Sequence, residues 1–310
     1  MNREIIAGDL RRLTRGTVTI SESLAIHTTF GVGGPADILV SPDDVDEAVR
    51  ILEWIGERSI PLYLLGRGSN LLVDDRGVRG IVVKMGPGIS RIRHRTTEDG
   101  TSIEVEAGAP LSALLGYCLR YGLTGMERMA GIPASVGGAV AMNAGVNDYS
   151  MATSARAILA FDRVTRRARW IGPEDCTFGY RESIFLEPGG PVVLAAEFGT
   201  VEGDPKKISE VMRASIARRE TRHPWRQPSA GSVFRNPPGM SAGRIIERAG
   251  LKGTRVGGAV VSPVHANFIV NEGGASCSDI EALIDRIRSV VEDRFGIALE
   301  LELRVWKSRD

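Results

Sequence analysis

The stretch Gly131-Ile132-Pro133-Ala134-Ser135-Val136-Gly137-Gly138-Ala139-Val140-Ala141-Met142-Asn143-Ala144-Gly145 decides how this chain is read. It carries almost no large polar side chain. Successive small residues let backbone N–H groups converge on an anion and let a flat ring lie against the chain. The same composition suits a close-packed turn between two strands, and the residues alone leave both readings open. Two further glycine clusters precede it. Gly66-Arg67-Gly68-Ser69-Asn70 suits either a tight turn or a phosphate-cradling loop. A Rossmann fingerprint does not fit there, because the third glycine is missing and residues 71–73 read as a strand where a helix is required. Thr28-Thr29-Phe30-Gly31-Val32-Gly33-Gly34-Pro35 places two hydroxyls ahead of a bend and is weak by itself.

Outward from these clusters, periodicity supplies the elements. Residues 1–30 read as a helix and an extended entry. Ser41 is placed to N-cap a helix with Pro42 first inside it, and Val45, Ala48, Val49, Leu52 and Ile55 share one face. Residues 60–65, 71–73 and 81–84 read as strands, giving a small β-α-β unit. Strands are expected at 103–107, 155–163 and 192–201, with a helix opened by Pro110. Asp204 caps a helix with Pro205 first inside it, and Arg213, Arg218, Arg219 and Arg222 crowd toward its end, where cations suit the helix dipole. A further helix starts at Ser241 and stops at Gly250. In the last helix Ser278 and Glu281 form a capping-box pattern, and Gly296 is the stop. Residues 297–306 alternate strictly, with Ile297, Leu299, Leu301, Leu303 and Val305 on one side.

Composition bounds the function. The chain has 310 residues, 43% of them apolar, with 39 basic and 38 acidic side chains and a net charge of +1. That length suggests two or three domains. No basic excess points to nucleic acid or to an acidic membrane, so small-molecule partners are expected. Cys118, Cys176 and Cys277 match no metal-ligand spacing, so no metal is expected, and a sparse, odd set fits a reducing cytoplasm. The first residues lack a signal-peptide apolar core, and no run reaches the roughly 18 apolar residues of a membrane span.

All three glycine clusters, in order and at these spacings, resemble those of the UDP-N-acetylenolpyruvoylglucosamine reductases. The likeness extends to Gly179-Tyr180-Arg181-Glu182-Ser183, to Ser229-Ala230-Gly231-Ser232-Val233-Phe234-Arg235-Asn236-Pro237, to Ala242-Gly243-Arg244, to Leu251-Lys252-Gly253 and to His265-Ala266-Asn267-Phe268-Ile269-Val270-Asn271. It covers about residues 20–306. The resemblance implies an α+β fold: two FAD-binding subdomains of vanillyl-alcohol-oxidase (PCMH) type, about 1–85 and 86–203, and a C-terminal α+β substrate-binding domain, 204–310. It implies noncovalent FAD, NADPH as co-substrate, and reduction of an enolpyruvyl ether on a nucleotide sugar. A monomer is expected.

The resemblance also assigns residues. Thr28, Thr29, Arg67, Gly68, Ser69 and Asn70, with Gly131, Ile132, Pro133, Ala134, Ser135, Gly137, Gly138, Asn143, Ala144 and Gly145, line the flavin and its pyrophosphate. Arg181 binds the substrate carboxylate, Ser232 gives a proton to carbon, and Glu302 supports that transfer. Residues alone would read these three as a surface cation, a turn serine and part of a solvated charge ladder. Tyr180, Arg219, Arg222, Asn236 and His265 are expected to meet the substrate. The chain resembles the branch that lacks a Tyr-bearing insertion loop, since the stretch 192–204 is short and holds no Tyr. Two other readings compete. A related FAD-dependent oxidase acting on a hydroxy acid or sugar lactone often has a covalent His–flavin link, and neither His27 nor His94 lies in a recognised attachment motif. A non-catalytic nucleotide-sugar-binding protein is expected to have lost Arg181, Ser232 or Glu302, and none is lost.

Overall fold

The N-terminal helix, Arg3–Leu13, turns Ala7 and Leu10 inward and is capped by the Asn2 side chain. It belongs to the first of two compact units in a computed structural model that describes residues 2–98, 100–146 and 149–308. The first unit comprises Met1–Ile20, Ile38–Arg67 and Gly80–Ala217, and the second Ser21–Asp37, Gly68–Arg79 and Arg218–Asp310. The fold is mixed α+β throughout.

The first unit holds two apolar cores. One gathers Leu10, Ile38, Val40, Ile51, Leu52, Ile55, Ile81 and Val83. The helix Val45–Glu57 supplies the expected apolar face to it. Its start differs from the sequence reading. Asp44, not Ser41, is the N-cap, and its Oδ1 accepts the Glu47 N–H at 2.7 Å. Pro42 and Asp43 stay outside because the Asp43 N–H donates to the Glu47 carboxylate at 2.8 Å, which holds the chain back over the first turn. Leu62–Leu65 runs parallel to the Ile81–Lys84 portion of a neighbouring strand, as a β-α-β connection requires.

The second core of this unit gathers Ile103, Val105, Leu111, Leu114, Val136, Val140 and Phe198. Its sheet is antiparallel, with Arg167–Ile171, Ala155–Asp162, Val192–Glu202, Gly100–Glu106 and Ile92–Thr97 in spatial order. The central strand serves both cores: Val192 and Leu194 pack into the first, Ala196 and Phe198 into the second. Pro110 is the N-cap residue of the helix Leu111–Tyr121, and Gly122 ends it at φ +65.

In the second unit the helix Cys277–Phe295 packs Ile280, Leu283, Ile284, Ile287 and Val291 onto a core shared with Phe30, Val32 and Leu72. Its capping box is Ser276 with Asp279, two residues earlier than the expected Ser278 with Glu281. Both spacings fit the pattern. Asp75 decides between them, because its carboxylate takes the Cys277 N–H, the Ser278 N–H and the Ser278 hydroxyl. The expected strand over 297–306 is shorter than its alternation suggested. Only Arg304–Trp306 pairs, in parallel with Leu71–Val73, while Leu301 makes a single bridge to Phe234. The alternation survives as burial: Leu299 and Leu303 are buried, and Ile297, Leu301 and Val305 pack on the same core. Among the described residues no helix is long and apolar enough to cross a membrane.

Candidate active site

In the first unit Ser135 caps the helix Val136–Ala141, its Oγ accepting the Gly138 N–H. Gly137 is pressed onto Ala107, whose carbonyl accepts its N–H at 2.8 Å. The second glycine cluster meets the third here. A Cβ on Gly66 would stand 2.3 Å from Ser135 Oγ, so a side chain here would push the capping hydroxyl aside. At the far end of the run Asn143 adopts φ +39, and its amide reaches Gly179 O at 2.8 Å and the Ala152 N–H at 3.0 Å. Ser183 Oγ donates to Ala141 O at 2.6 Å. These bonds fasten Gly179–Glu182, a turn closed by paired backbone hydrogen bonds, to the glycine-rich run.

Arg181 is the third residue of that turn and has φ +60, a conformation favoured by Gly or Asn. A bulky residue there carries strain of about 1–2 kcal/mol. Its guanidinium lies 3.5 Å from Asn143 O and 3.3 Å from Gly145 O, and 5.3 Å from the centroid of the exposed Tyr180 ring. These contacts to neutral carbonyls are long. The guanidinium has a fork suited to a carboxylate, anchored at the end of the small-residue wall.

In the second unit Thr29 draws two motifs together. Its N–H donates to Gly68 O at 3.1 Å, and its Oγ1 donates at 2.6 Å to Ser229 O. Thr28 Oγ1 donates to Val32 O at 2.9 Å and so stabilises the bend. The two hydroxyls thus hold loops. Gly68 (φ +62) passes so close that a Cβ would lie 2.3 Å from His27 O. Asn70 carries the same loop to the C-terminal strand segment: its Nδ2 donates to Glu302 O at 3.0 Å, and its O accepts the Arg304 N–H at 3.1 Å. Glu302 in turn donates its N–H to Val233 O at 2.9 Å. Ser232 and Glu302 are therefore brought onto adjacent, hydrogen-bonded segments, with Gly231 beside Ser69 O.

The expected substrate residues are less closely grouped. Arg219 and Arg222 lie in the last turn of the helix Pro205–Arg222. Asn236 accepts the Ala242 N–H at 3.0 Å, so it also supports the start of the helix Ala242–Arg248. His265 meets His223, which the sequence reading passed over. The His223 ring stacks on Phe268 at 4.9 Å and lies edge-on to His265 at 5.5 Å. Burial, then the facing His265 and Arg219, Arg222 and Arg218, hold His223 down to about 4, and burial likewise lowers His265. Asn267 is another residue without an expected role. It is 3% exposed and fully engaged with Val233 and Phe234. Its signal in the sequence was only its place in the quoted His265-to-Asn271 motif.

The residues present fit FAD. From Pro133 to Ala141 nothing larger than Val stands on the chain, and Ile132, Ala134, Ala141 and Ala144 are only partly covered. That low wall suits a flat ring, and the turns at Gly66 and Gly68 suit close backbone approach to a pyrophosphate. His27 contacts Glu22 and His94 contacts Tyr117.

Comparisons with known proteins agree with this geometry. Residues 223–306 match the family model described as UDP-N-acetylenolpyruvoylglucosamine reductase, C-terminal domain, and residues 36–170 match an FAD binding domain. The chain is 39% identical to a UDP-N-acetylenolpyruvoylglucosamine reductase of Halalkalibacterium halodurans, over 99% of this chain and 100% of the relative. It is 42% identical to the protein of the same name from Moorella thermoacetica, over 99% of each. Among solved structures it is similar to the UDP-N-acetylenolpyruvylglucosamine reductase (MurB) of Thermus caldophilus. The TM-score is 0.77 at 37% identity, covering 94% of this chain and 99% of that one.

Proposed function

The chain belongs to the UDP-N-acetylenolpyruvoylglucosamine reductase family, and from that premise we propose that Arg181, Ser232 and Glu302 carry out the reduction of the enolpyruvyl ether. The fold is α+β, with an FAD-binding region of the vanillyl-alcohol-oxidase (PCMH) type and a C-terminal domain. The activity is FAD-dependent reduction of UDP-N-acetylenolpyruvoylglucosamine to UDP-N-acetylmuramate, with NADPH as reductant, a step of peptidoglycan precursor synthesis. Residues 1–203 serve the cofactor as two subdomains divided near 85, and 204–310 the substrate. The two apolar cores of the first unit support the subdivision. The segments Ser21–Asp37 and Gly68–Arg79 share the core of the second unit. The protein works in the cytoplasm as a monomer, on small molecules only.

FAD, when bound, would supply hydride chemistry for the terminal enol carbon, with NADPH as the source of reducing equivalents. The side chains must then manage charge and a proton. Negative charge develops on the adjacent carbon and spreads into the carboxylate. The Arg181 fork pairs with both carboxylate oxygens and stabilises that enediolate-like species, which is electrostatic catalysis. Ser232 Oγ gives its proton to the carbon. A serine hydroxyl is a weak acid, so its alkoxide needs support. Glu302, fixed one hydrogen-bonded segment away, supplies it when protonated or sharing a proton. Thr28, Thr29, Arg67, Gly68, Ser69 and Asn70, with the 131–145 run, hold the cofactor. Arg219 and Arg222 meet the substrate phosphates, while Tyr180, Asn236 and His265 complete its contacts.

The observation that carries this reading is the anchoring of Arg181 in a left-handed turn against the small-residue run. Anaerobic titration tests it. The purified protein should be yellow, and acid should release all colour to the supernatant. NADPH should bleach the flavin, and UDP-N-acetylenolpyruvoylglucosamine should restore it with formation of UDP-N-acetylmuramate. Colour held in the acid pellet points instead to a covalent flavin oxidase, and reduced flavin indifferent to the sugar nucleotide refutes the assignment.

A further inference from the structure

The segment that presents Ser232 is held on both sides, by a run of backbone on one flank and largely by a side chain on the other. On one flank the N–H groups of Glu302 and Leu303 donate to Val233 O at 2.9 and 3.3 Å, and the Arg235 N–H donates to Glu300 O at 2.9 Å. The other flank is a single residue. Asn267 accepts the Val233 N–H at its backbone carbonyl (2.8 Å) and the Phe234 N–H at its Oδ1 (3.0 Å). Its Nδ2 donates to Phe234 O at 2.8 Å. A carboxamide has the donor–acceptor spacing of a peptide, so the side chain stands in for a neighbouring strand. Asn267 is itself fixed, because its N–H donates to His265 Nδ1 at 3.2 Å and it is 3% exposed.

We propose that Asn267 is a positioning residue for the proton transfer: it sets the height and direction of Ser232 by gripping the two residues that follow it, Val233 and Phe234. The proposal rests on Ser232 being the proton donor. It explains why a buried polar side chain stands beside the serine and directs both an acceptor and a donor to Phe234 in that segment. Aspartate at this position keeps the volume and the acceptor but turns an oxygen toward Phe234 O. Alanine removes both contacts. Either change frees the segment to shift, and a displacement of about 1 Å in a proton donor costs on the order of 10–100-fold.

The test follows both half-reactions by stopped-flow flavin absorbance in the intact enzyme. The variants are Asn267→Ala, Asn267→Asp, Ser232→Ala and the two doubles. Each Asn267 variant should slow reoxidation by UDP-N-acetylenolpyruvoylglucosamine about 10–100-fold and leave reduction by NADPH within about twofold. On the Ser232→Ala background the same changes should add less than about twofold, since coupled residues are not additive. Should Asn267→Ala fail to retain flavin, the isosteric Asn267→Asp carries the comparison. Equal slowing in both backgrounds, equal slowing of both half-reactions, or no slowing overturns the role assigned to Asn267. Wild-type reoxidation in Ser232→Ala overturns the proton-donor reading, and the positioning role with it, by a different signature.

Discussion

Arg181 shows how a single residue can be legible by type and hidden in conformation. The Gly-Tyr-Arg-Glu-Ser motif identified it, but nothing in the sequence indicates a left-handed arginine, because φ +60 is imposed by contacts with Asn143 and Ala141 far along the chain. Its strain makes a clean experiment. Arg181→Gly relieves about 1–2 kcal/mol of backbone strain and gives up the guanidinium's contacts, among them Asn143 O, Gly145 O and the Tyr180 ring, so the two effects offset and thermal stability should stay within about 1–2 kcal/mol of wild type. Reoxidation by the enolpyruvyl substrate should fall about 10²–10³-fold. Arg181→Lys, which keeps the charge without the fork, should fall between. A variant that melts early yet turns over normally would make Arg181 a structural residue. His223 was missed for the opposite reason. A lone histidine after a helix carries no periodic signal, and only the fold sets it against Phe268 and His265.

At the scale of elements, the sequence named helices and strands well and their first residues less well. The helix Val45–Glu57 started three residues late because Glu47 reaches outside its own turn. Its carboxylate is 2% exposed and accepts from Thr14 Oγ1 at 2.5 Å, the Arg15 N–H at 3.1 Å, Arg15 Nε at 2.9 Å and the Asp43 N–H at 2.8 Å. Burial pushes this carboxyl up, and the hydrogen bonds together outweigh it, pulling it down to about 2. A lowered carboxyl stabilises the fold fully above its ordinary value of 4.5 and loses that contribution as pH falls through about 2. Glu47→Gln should therefore cost about 1.5–3 kcal/mol at pH 7. Urea midpoints measured at pH 7 and pH 3 should show the gap to wild type narrowing at the lower pH. A gap of constant size would mean that the ionised form of Glu47 is not what ties the N-terminal helix region to this turn.

Across the whole molecule, what the sequence concealed was sequence distance. Thr29 bonds to Ser229, and Asn70 to Glu302, across 200 and 232 positions. Periodicity reports neighbours within a helix or strand and is silent on such pairs. The motif order therefore revealed which residues matter, but not that Phe30, Val32 and Leu72 complete the core of the unit built mainly from 218–310. The proposed role of Ser232 is to protonate carbon, a need that arises only when the enol ether is reduced. Stopped-flow absorbance of Ser232→Ala separates the two halves. Reduction of the flavin by NADPH should stay near the wild-type rate, while reoxidation by UDP-N-acetylenolpyruvoylglucosamine should slow about 10²–10⁴-fold. Equal slowing of both halves would contradict the claim and make Ser232 a residue that merely shapes the pocket.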